Sequence, residues 1–557
     1  MSDVLNQVEA SLREGINKAI VDSNMVDEAD IPAIQLEKPK DKNHGDFATN
    51  IAMQMARVAK KAPKQIAETI EAHLDYETSG IVKVDIAGPG FINFFMQDAF
   101  LTSTVRTIIE QGETYGESQA SNGKSVQVEF VSVNPTGDLH LGHARGAAYG
   151  DVLCNLFDLA GYDVEREYYM NDAGSQIDNL ATSIDARYQQ ALGIEAAMPE
   201  DGYHGKDIIQ IGESLKEEYG TTWNDKSEEE RLAFFRDYGL TFEIDQIKAD
   251  LDAFGVHFDQ WFSEMSLYET NQVSETLTEL KDKGYTYEHE GAVWFKSTEF
   301  GDDKDRVLLK SDGSYTYLMP DIAYHKNKFE RGFDKIINVW GSDHHGYVPR
   351  MQAAIEALGY PSEKFSVNII QLVNVLEDGE IVRMSKRTGK AVALRELMDD
   401  VGVDAVRYFF IMRSNDAKLD FDVDLARSQS NENPVYYVQY AHARICTMMK
   451  QAKEKGFELT DDFDESLLIA EKEKDLLKQL AAFPGMIQDA AEREAPYKVT
   501  QYVFDLAGRL HRFYNAEKVI DENNTELTNA RLGLMNAVKI VIANALTVMG
   551  VNAPEKM

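Results

Sequence analysis

The 557-residue sequence has few residues from which a covalent or metal-based framework could be built. Its only cysteines are Cys154 and Cys446, too few for a disulfide scaffold or a cysteine-rich zinc site. No run of about 18 apolar residues occurs, so we expect no membrane span. The first residues lack the basic and apolar regions of a signal peptide. A cytoplasmic protein of two to four domains is the expectation.

Positive charge is also scarce. Lysine and arginine total 57 against 94 aspartates and glutamates, a net charge of −37. Such a chain repels nucleic acid unless it carries local basic surface. Between Lys38 and Lys64, seven cationic side chains, including Lys60 and Lys61, face only two acidic ones. This segment is either an RNA contact or an ordinary solvated helix face, and the residues alone leave both interpretations open.

The most informative stretch runs from residue 126 to residue 161. A β-branched and aromatic run predicts a strand as far as Val133, and Asn134-Pro-Thr-Gly-Asp138 predicts its end. Apolar residues then recur at helical spacing. His140, Gly142 and His143 stand where this helix begins, and a helix N-terminus attracts phosphate. Two half-exposed histidines without a ligand, or a metal pair lacking an evident third ligand, are the alternatives.

A second motif lies some 240 residues later. The segment Arg383-Met-Ser-Lys-Arg-Thr-Gly-Lys390 follows a turn at residues 377–379 and holds four cationic side chains. Such a loop can neutralise the charge that develops on a triphosphate during cleavage. A solvated basic turn is the alternative.

The remaining chain shows simpler patterns. Helices are predicted over residues 4–20 and 48–58, two strands over 81–96, and charged helices over 213–219, 228–238 and 242–254. A hairpin is predicted near residues 291–313. The apolar stripe of Leu534, Val538, Val541, Ala545 and Val548 predicts the core of a helical bundle.

Taken together, the two motifs resemble the signature pair of the class I aminoacyl-tRNA synthetases. His140-Leu-Gly-His143 stands for "HIGH" and Arg383-Met-Ser-Lys-Arg387 for "KMSKS". The flanking segments 129–139, 317–321, 340–345 and 553–557 resemble the arginyl-tRNA synthetases of bacteria, and the likeness covers nearly the whole chain.

This resemblance implies an α/β fold. The expected parts are an α+β N-terminal domain that contacts the tRNA elbow (1–115), a Rossmann-type catalytic domain with a helical insertion at about 181–299 (116–427), and an all-α anticodon-binding bundle (428–557). The implied reaction activates arginine with ATP, assisted by Mg²⁺ without a tightly bound metal, and transfers it to the 3′ end of tRNA(Arg). AMP and pyrophosphate are released. We expect a monomer that does not associate with a membrane. The reaction is expected to need no nucleophilic side chain of the protein.

The resemblance also assigns residues. A carboxylate can grip a planar guanidinium through paired hydrogen bonds, which suits arginine. The implied arginine-binding residues are Glu129, Ser132, Asn134, Tyr317 and Asp321. The implied catalytic residues are His140, His143 and Lys386, and ATP binding adds Gly142, Asp343, Arg383, Met384 and Ser385. The implied tRNA contacts are Lys60, Lys61, Tyr436, Arg444, Arg512 and Tyr514.

One departure from the family pattern is informative. Many arginyl enzymes lack the second lysine of the loop and carry a compensating lysine at the position of Gly137. This chain has Gly137 and keeps Lys386, whereas Arg383 replaces the usual first lysine. The sequence therefore favours Lys386 as the residue that stabilises the phosphates.

Two other functions are considered. A nucleotidyltransferase that adenylates a small acid without RNA would not need the C-terminal bundle. A non-catalytic RNA-binding relative would have no reason to keep the histidines, Lys386 and the arginine pocket together.

Overall fold

The computed structural model describes residues 4–39, 44–76, 78–119, 121–382 and 392–557. The predicted phosphate loop, with Arg383, Met384, Ser385 and Lys386, lies outside these ranges, as do Lys40 and Lys42 of the basic segment.

A small antiparallel sheet covered by helices forms the N-terminal region. Its elements are α1 (Val4–Asp22), β1 (Phe47–Thr49), α2 (Ile51–Ala59), α3 (Pro63–His73), β2 (Ile81–Ala87) and β3 (Phe91–Met96). The spatial strand order is β1-β3-β2. The two predicted strands at 81–96 are confirmed. The helix predicted from residue 48 begins instead at Ile51, because Ala48 and Thr49 pair with β3 in strand β1.

Five parallel strands form the central sheet. The elements in this part of the chain are α4 (Asp98–Gln111), β4 (Ser125–Glu129), α5 (Leu141–Leu159), β5 (Asp163–Met170), α6 (Ser175–Ala191), α7 (Lys206–Tyr219), α8 (Glu228–Ala253), β6 (Gln260–Ser263), α9 (Glu264–Glu269), α10 (Gln272–Asp282), β7 (Thr286–His289), β8 (Ala292–Phe295), β9 (Arg306–Leu309), α11 (Leu318–Glu330), β10 (Lys335–Gly341), α12 (Val348–Leu358) and β11 (Phe365–Ile370). The spatial order is β11-β10-β4-β5-β6. Along the chain, β5 and β6 are added on one side of β4, and β10 and β11 on the other. The switch point therefore lies between β4 and β10, as in a Rossmann-type sheet.

The strand that precedes the first motif is shorter than predicted. β4 ends at Glu129, and the prediction that the strand continues to Val133 is wrong. Val131 and Ser132 adopt positive φ angles of 70° and 45°. A β-branched residue in this region is strained, and such strain is found where a binding site fixes the backbone.

The helical insertion and a second sheet lie beside the central sheet. Residues 228–253 form the single helix α8, where the sequence predicted two helices. Helices α6, α7 and α8 share a core that contains Leu180, Tyr188 and Phe235. Within the range of the hairpin predicted near residues 291–313, β8 and β9 pair antiparallel, and β7 extends the sheet on the other side of β8.

The C-terminal part is mainly helical. It contains β12 (Val373–Glu377), β13 (Glu380–Val382), α13 (Leu394–Val401), α14 (Val403–Ile411), β14 (Leu419–Asp422), α15 (Val423–Arg427), α16 (Pro434–Glu454), α17 (Glu471–Ala481), α18 (Phe483–Glu492), α19 (Tyr497–Ala516) and α20 (Thr525–Val548). The predicted apolar stripe of α20 is buried. Within the described chain, α20 alone is long and apolar enough to cross a membrane, but 67% of its apolar window is buried, as in a core helix.

A buried arginine joins the bundle to the catalytic body. Arg407 on α14 is fully buried and donates hydrogen bonds to the carbonyl oxygens of Met549 (2.8 Å) and Phe254 (3.0 Å). Its guanidinium also forms a salt bridge with Asp151 of α5. We call this the Arg407 hub. It links the first-motif helix, the end of α8 and the end of α20.

Candidate active site

A cavity of about 1260 Å³ opens at the carboxyl ends of β4, β10 and β11. This is the point where strand order reverses, and ligands bind there in open α/β sheets. The predicted residues that line it are Ser132, Asn134, His140, Gly142, His143 and Asp343. The helical insertion contributes Lys206, Asp207, Gln210, Phe242 and Gln246 to the wall.

The two histidines of the first motif stack on each other at the start of α5. Their ring centroids are 3.4 Å apart, and His140 is the N-cap residue. Nδ1 of His140 accepts a hydrogen bond from the backbone N–H of Gly142 at 3.1 Å. Because Nδ1 is the acceptor, a neutral His140 carries its proton on Nε2.

The surroundings keep both imidazoles neutral near pH 7. Burial, together with the neighbouring His140, lowers the pKa of His143 to about 3. Burial also lowers the pKa of His140, against an opposing effect of Asp343. Nδ1 of His143 is buried without a hydrogen-bond partner in the described chain. The pair therefore offers single neutral N–H donors rather than positive charges.

The far side of the cavity is formed by Asp343 and by the segment from residue 393, which follows the predicted phosphate loop in the chain. Asp343 is exposed on the turn that follows β10, with His344 3.4 Å away. Residue 393 forms an isolated bridge with His140, and the N–H of Leu394 donates to the carbonyl oxygen of Leu139 at 2.7 Å. Residues 393 and 394 thus lie directly beside the first motif.

Ser132 and Asn134 differ in what their side chains do. Ser132 Oγ accepts a hydrogen bond from the N–H of Tyr169 at 3.1 Å, and its carbonyl oxygen accepts one from Asn171 at 3.2 Å. Both bonds hold the strained turn against β5. Asn134 is exposed to the cavity.

Glu129 forms a salt bridge with a buried lysine of the protein. Lys328 is fully buried and donates to Oε2 of Glu129 at 2.6 Å and to Oδ1 of Asn338 at 2.8 Å. Asn338 in turn contacts Nε2 of His325 at 2.7 Å. The charge of Glu129 is therefore compensated within the fold.

Asp321 lacks such a partner. Its Oδ2 accepts a hydrogen bond from the hydroxyl of Tyr347 at 2.6 Å, and no described lysine or arginine forms a salt bridge with it. Burial raises the pKa of Asp321 to about 7, and Glu129 adds to the effect. Tyr317, one helical turn earlier at the start of α11, is 71% exposed. The two residues therefore lie in different environments.

Sequence reasoning missed several groups around Asp321. The charge of Asp321 acts on Glu264, which also interacts with Asp172, and the hydroxyl of Tyr347 donates to Asp321. Glu264 follows β6 directly and Asp172 follows β5 closely. Carboxylates just after parallel strands meet at one edge of the sheet. The positions of Glu264 and Asp172 just after strands could therefore have indicated this group.

A second buried carboxyl group stands in the insertion wall. Glu243 of α8 is almost fully buried, and burial raises its pKa to about 8, with Asp207 and Asp138 adding to the effect. Gly137, at a φ of 134°, offers its backbone N–H to this carboxyl group. The insertion thus contacts the turn that leads into the first motif.

The residues assigned to tRNA lie on two separate surfaces. Tyr436 stacks on Tyr440 at 6.1 Å, and the guanidinium of Arg444 lies 4.3 Å from the ring centre of Tyr514. Arg512 is exposed on the adjoining helix α19. Phe504, 44% exposed on the same helix, was missed. Lys60 and Lys61 are exposed between α2 and α3 of the N-terminal region.

Metal-binding side chains are not grouped in the described chain. No cluster of three or more histidine, cysteine, aspartate or glutamate side chains there has the arrangement of a metal site.

Comparisons with known proteins cover nearly the whole sequence. Three family models match: "Arginyl tRNA synthetase N terminal domain" at residues 6–96, "tRNA synthetases class I (R), catalytic domain" at 104–431 and "DALR anticodon binding domain" at 438–557. The arginine–tRNA ligase of Oceanobacillus iheyensis is 63% identical over 555 residues, and that of Bacillus subtilis is 59% identical over 555 residues. Each alignment covers 100% of both chains.

Solved structures agree in fold. The arginyl-tRNA synthetase of Thermus thermophilus matches with a TM-score of 0.73 at 21% identity, covering 98% of this chain and 100% of that one. The enzyme of Plasmodium falciparum matches with a TM-score of 0.72 at 17% identity, covering 98% and 99%.

Proposed function

The chain belongs to the arginyl-tRNA synthetase family of class I and ligates arginine to tRNA(Arg) with ATP, and on this basis we propose how its residues divide the reaction. In the first step the arginine carboxylate attacks the α-phosphorus of ATP, a new O–P bond forms and pyrophosphate leaves. In the second step a ribose hydroxyl at the 3′ end of the tRNA attacks the arginyl carbonyl, and AMP leaves.

The ATP phosphates are proposed to bind at the N-terminus of α5. Gly142 lets the nucleotide approach the helix end, and the Nε2–H of His140 can donate to a phosphate oxygen. His143 is proposed to act beside it. Neutral donors fit this step because they stabilise developing charge without holding the pyrophosphate product too tightly. Asp343 is proposed to accept from the ribose hydroxyls, and Lys386 to neutralise the phosphates.

Arginine is proposed to bind with its guanidinium at Asp321. The observation that carries this assignment is a half-buried aspartate without a salt bridge to any described cation, whose pKa is raised by burial of its carboxyl group. Such a group is poorly ionised alone and is stabilised when a cation binds. Asn134 would hold the α-amino group, Ser132 and Glu129 would shape the pocket floor, and Tyr317 would cover the entrance.

The tRNA is proposed to span the two outer regions, with domain boundaries near residues 115 and 427. Lys60 and Lys61 would contact its elbow. Tyr436, Arg444, Arg512 and Tyr514 would receive anticodon bases, since aromatic rings and guanidinium planes stack on splayed bases.

Three further properties are proposed. Mg²⁺ would bind mainly through the triphosphate oxygens and water, as Mg²⁺ usually does. The protein would act as a monomer in the cytoplasm. Light scattering at working concentrations tests the monomer, and a mass of twice 62.7 kDa would contradict it.

The pocket assignment is tested by exchange of pyrophosphate into ATP, with and without tRNA(Arg). Arginine, lysine and citrulline are compared in the wild type, in Asp321→Asn and in the control Asp282→Asn, an exposed aspartate at the end of α10. Asp321→Asn should lower kcat/KM for arginine about 30-fold to several thousand-fold. This corresponds to a loss of about 2–5 kcal/mol of transition-state stabilisation. Wild-type arginine kinetics in Asp321→Asn would refute the assignment.

A further inference from the structure

Arg145 of α5 connects the helix of the first motif to a distant part of the chain. It lies two residues after His143 and is 1% exposed. Its Nη1 donates hydrogen bonds to the carbonyl oxygens of Gln371 (2.8 Å) and Ala417 (2.9 Å), and its Nη2 donates to that of Ser414 (2.9 Å). The side chain therefore binds two chain segments that are well separated in sequence.

These two segments form one backbone unit. The N–H of Gln371 donates to the carbonyl oxygen of Asn415 at 2.9 Å, and the N–H of Leu419 donates to that of Leu372 at 3.1 Å. The side chain of Asn415 donates to the carbonyl oxygen of Ile369 in β11 at 3.2 Å. Gln371 and Leu372 also line the cavity. The buried arginine thus fixes a wall of the cavity against the helix of the first motif.

The same unit begins the small sheet that leads into the second motif. β12 starts at Val373, where it pairs in parallel with Leu419 of β14, and it pairs antiparallel with β13. β13 ends at Val382, immediately before the second motif. After that motif, the N–H of Leu394 donates to the carbonyl oxygen of Leu139. The region of the first motif therefore holds the chain on both sides of the second.

The hydrogen bonds of Arg145 fix distances rather than pair charges. The three acceptors are neutral carbonyl oxygens. Burial lowers the pKa of Arg145 to about 10, against an opposing effect of Asp416, so the group stays charged at neutral pH. A lysine would carry the same charge, but its single nitrogen cannot present the planar fork that reaches these acceptors from two nitrogens. A guanidinium here therefore serves to hold the two segments at a set distance from α5.

We propose that Arg145 is a positioning residue for arginine activation, which fixes the sheet of β12, β13 and β14, and thereby the second motif, relative to the first motif. This inference rests on the proposed role of Lys386 at the phosphates. A displacement of about 1 Å in a catalytic group can lower turnover about 100-fold. Loss of the three bonds should therefore slow the attack on the α-phosphorus, while the arginine pocket at Asp321 keeps its affinity.

The test compares Arg145→Lys with Arg531→Lys in exchange assays with saturating tRNA(Arg). Arg531 of α20 is a matched control, because it is also buried and donates to the carbonyl oxygen of Lys518 (2.6 Å), but lies in the bundle. Arg145→Lys should lower kcat about 10-fold to 100-fold, with KM for arginine changed less than about threefold. Arg531→Lys should match the wild type. Circular dichroism checks that each variant is folded at the assay temperature.

A double-mutant cycle with Lys386→Ala separates positioning from a general loss of structure. If Arg145 acts through the second motif, the double variant should be no more than about threefold slower than Lys386→Ala alone, because the lysine to be positioned is already absent. Effects of the two single changes that multiply in the double variant would overturn the proposal. A wild-type kcat in Arg145→Lys would overturn it as well.

If Arg145→Lys does not fold, Asn415→Ala replaces it, because this change removes the bond between the same backbone unit and β11. It should lower kcat in smaller measure and show the same lack of additivity with Lys386→Ala. A wild-type kcat or multiplying effects there would equally overturn the proposal. Wild-type exchange in Lys386→Ala would reject the role of Lys386 itself, and the positioning role with it. Failure at Arg145 alone leaves Lys386→Ala slow, so the two failures are distinguishable.

Discussion

The Arg407 hub and the carboxyl pair of Asp321 and Glu264 hold charge within the fold in opposite ways. At the hub the protein supplies its own guanidinium, and Asp151 and three carbonyl oxygens receive it. Asp321 and Glu264 form no salt bridge with a described lysine or arginine, and burial raises the pKa of both. A buried charge with a complete set of partners holds the structure together, whereas one without them lowers stability and is retained for function.

The largest effect is expected at the hub. Arg407→Met should destabilise the fold by about 3–5 kcal/mol, because Asp151 would remain buried without its cation. Denaturant unfolding followed by tryptophan fluorescence measures the loss. Asp151→Asn combined with Arg407→Met should recover part of it. A single variant as stable as the wild type would erase the distinction between the two regions.

Removing the charge of Asp321 should raise stability, whereas removing the charge of Arg407 should lower it. The pKa of Asp321 is raised to about 7 in the folded protein, against about 4 when unfolded, so the native state binds the extra proton. Its ionisation therefore lowers stability progressively as pH rises through that interval. Without arginine, Asp321→Asn should have a Tm above the wild type, by a margin that grows from about pH 4 to about pH 7 and then levels off.

Asp302 is the matched control for this pH dependence. Burial opposes its ionisation, but Arg306 donates to both of its oxygens at 2.8 and 2.9 Å and lowers the pKa overall. Its ionised form therefore adds stability above the unfolded pKa and loses it as pH falls. Asp302→Asn should lower Tm near neutral pH. If the Tm difference from the wild type changed with pH in the same way in Asp321→Asn and Asp302→Asn, the proposed difference between the two carboxyl groups would be wrong.

The smallest effect is expected for an exposed pair between the N-terminal region and the bundle. Lys478 lies 2.6 Å from Asp46, and both side chains remain partly exposed. Lys478→Ala should change stability by less than about 1 kcal/mol, and by less still in high salt. Thermal unfolding at low and high salt measures this, with Lys478→Arg as the control that keeps the pair. A loss of several kcal/mol would show that exposed pairs also support the fold.

Local patterns predicted most of the fold. The first motif identified the helix that borders the cavity, because the breaker and the helix follow each other in the chain, but it placed the end of the preceding strand too late. The apolar stripe of α20 likewise specified a buried helix. The family and its function followed from the two motifs and their flanking residues.

The remaining features depend on contacts that sequence spacing does not reveal. β-branched Val131 favours a strand, yet the turn above β4 holds it at a positive φ. Glu129 and Glu264 look alike in sequence, but only Glu129 meets Lys328, which lies 199 residues further along the chain. Whether a carboxylate is compensated is decided by such distant partners. The roles assigned to the site residues remain predictions.

The position of β4 in the centre of the sheet has a consequence during synthesis. One neighbour, β5, follows β4 closely in the chain, but the other neighbour, β10, comes roughly 200 residues later. At about 5–20 residues per second, that edge of β4 waits about 10–40 s on the ribosome without a partner. Glu129 lacks Lys328 for the same interval. The catalytic body of the nascent chain must therefore be kept from aggregating until its fourth central strand has been made.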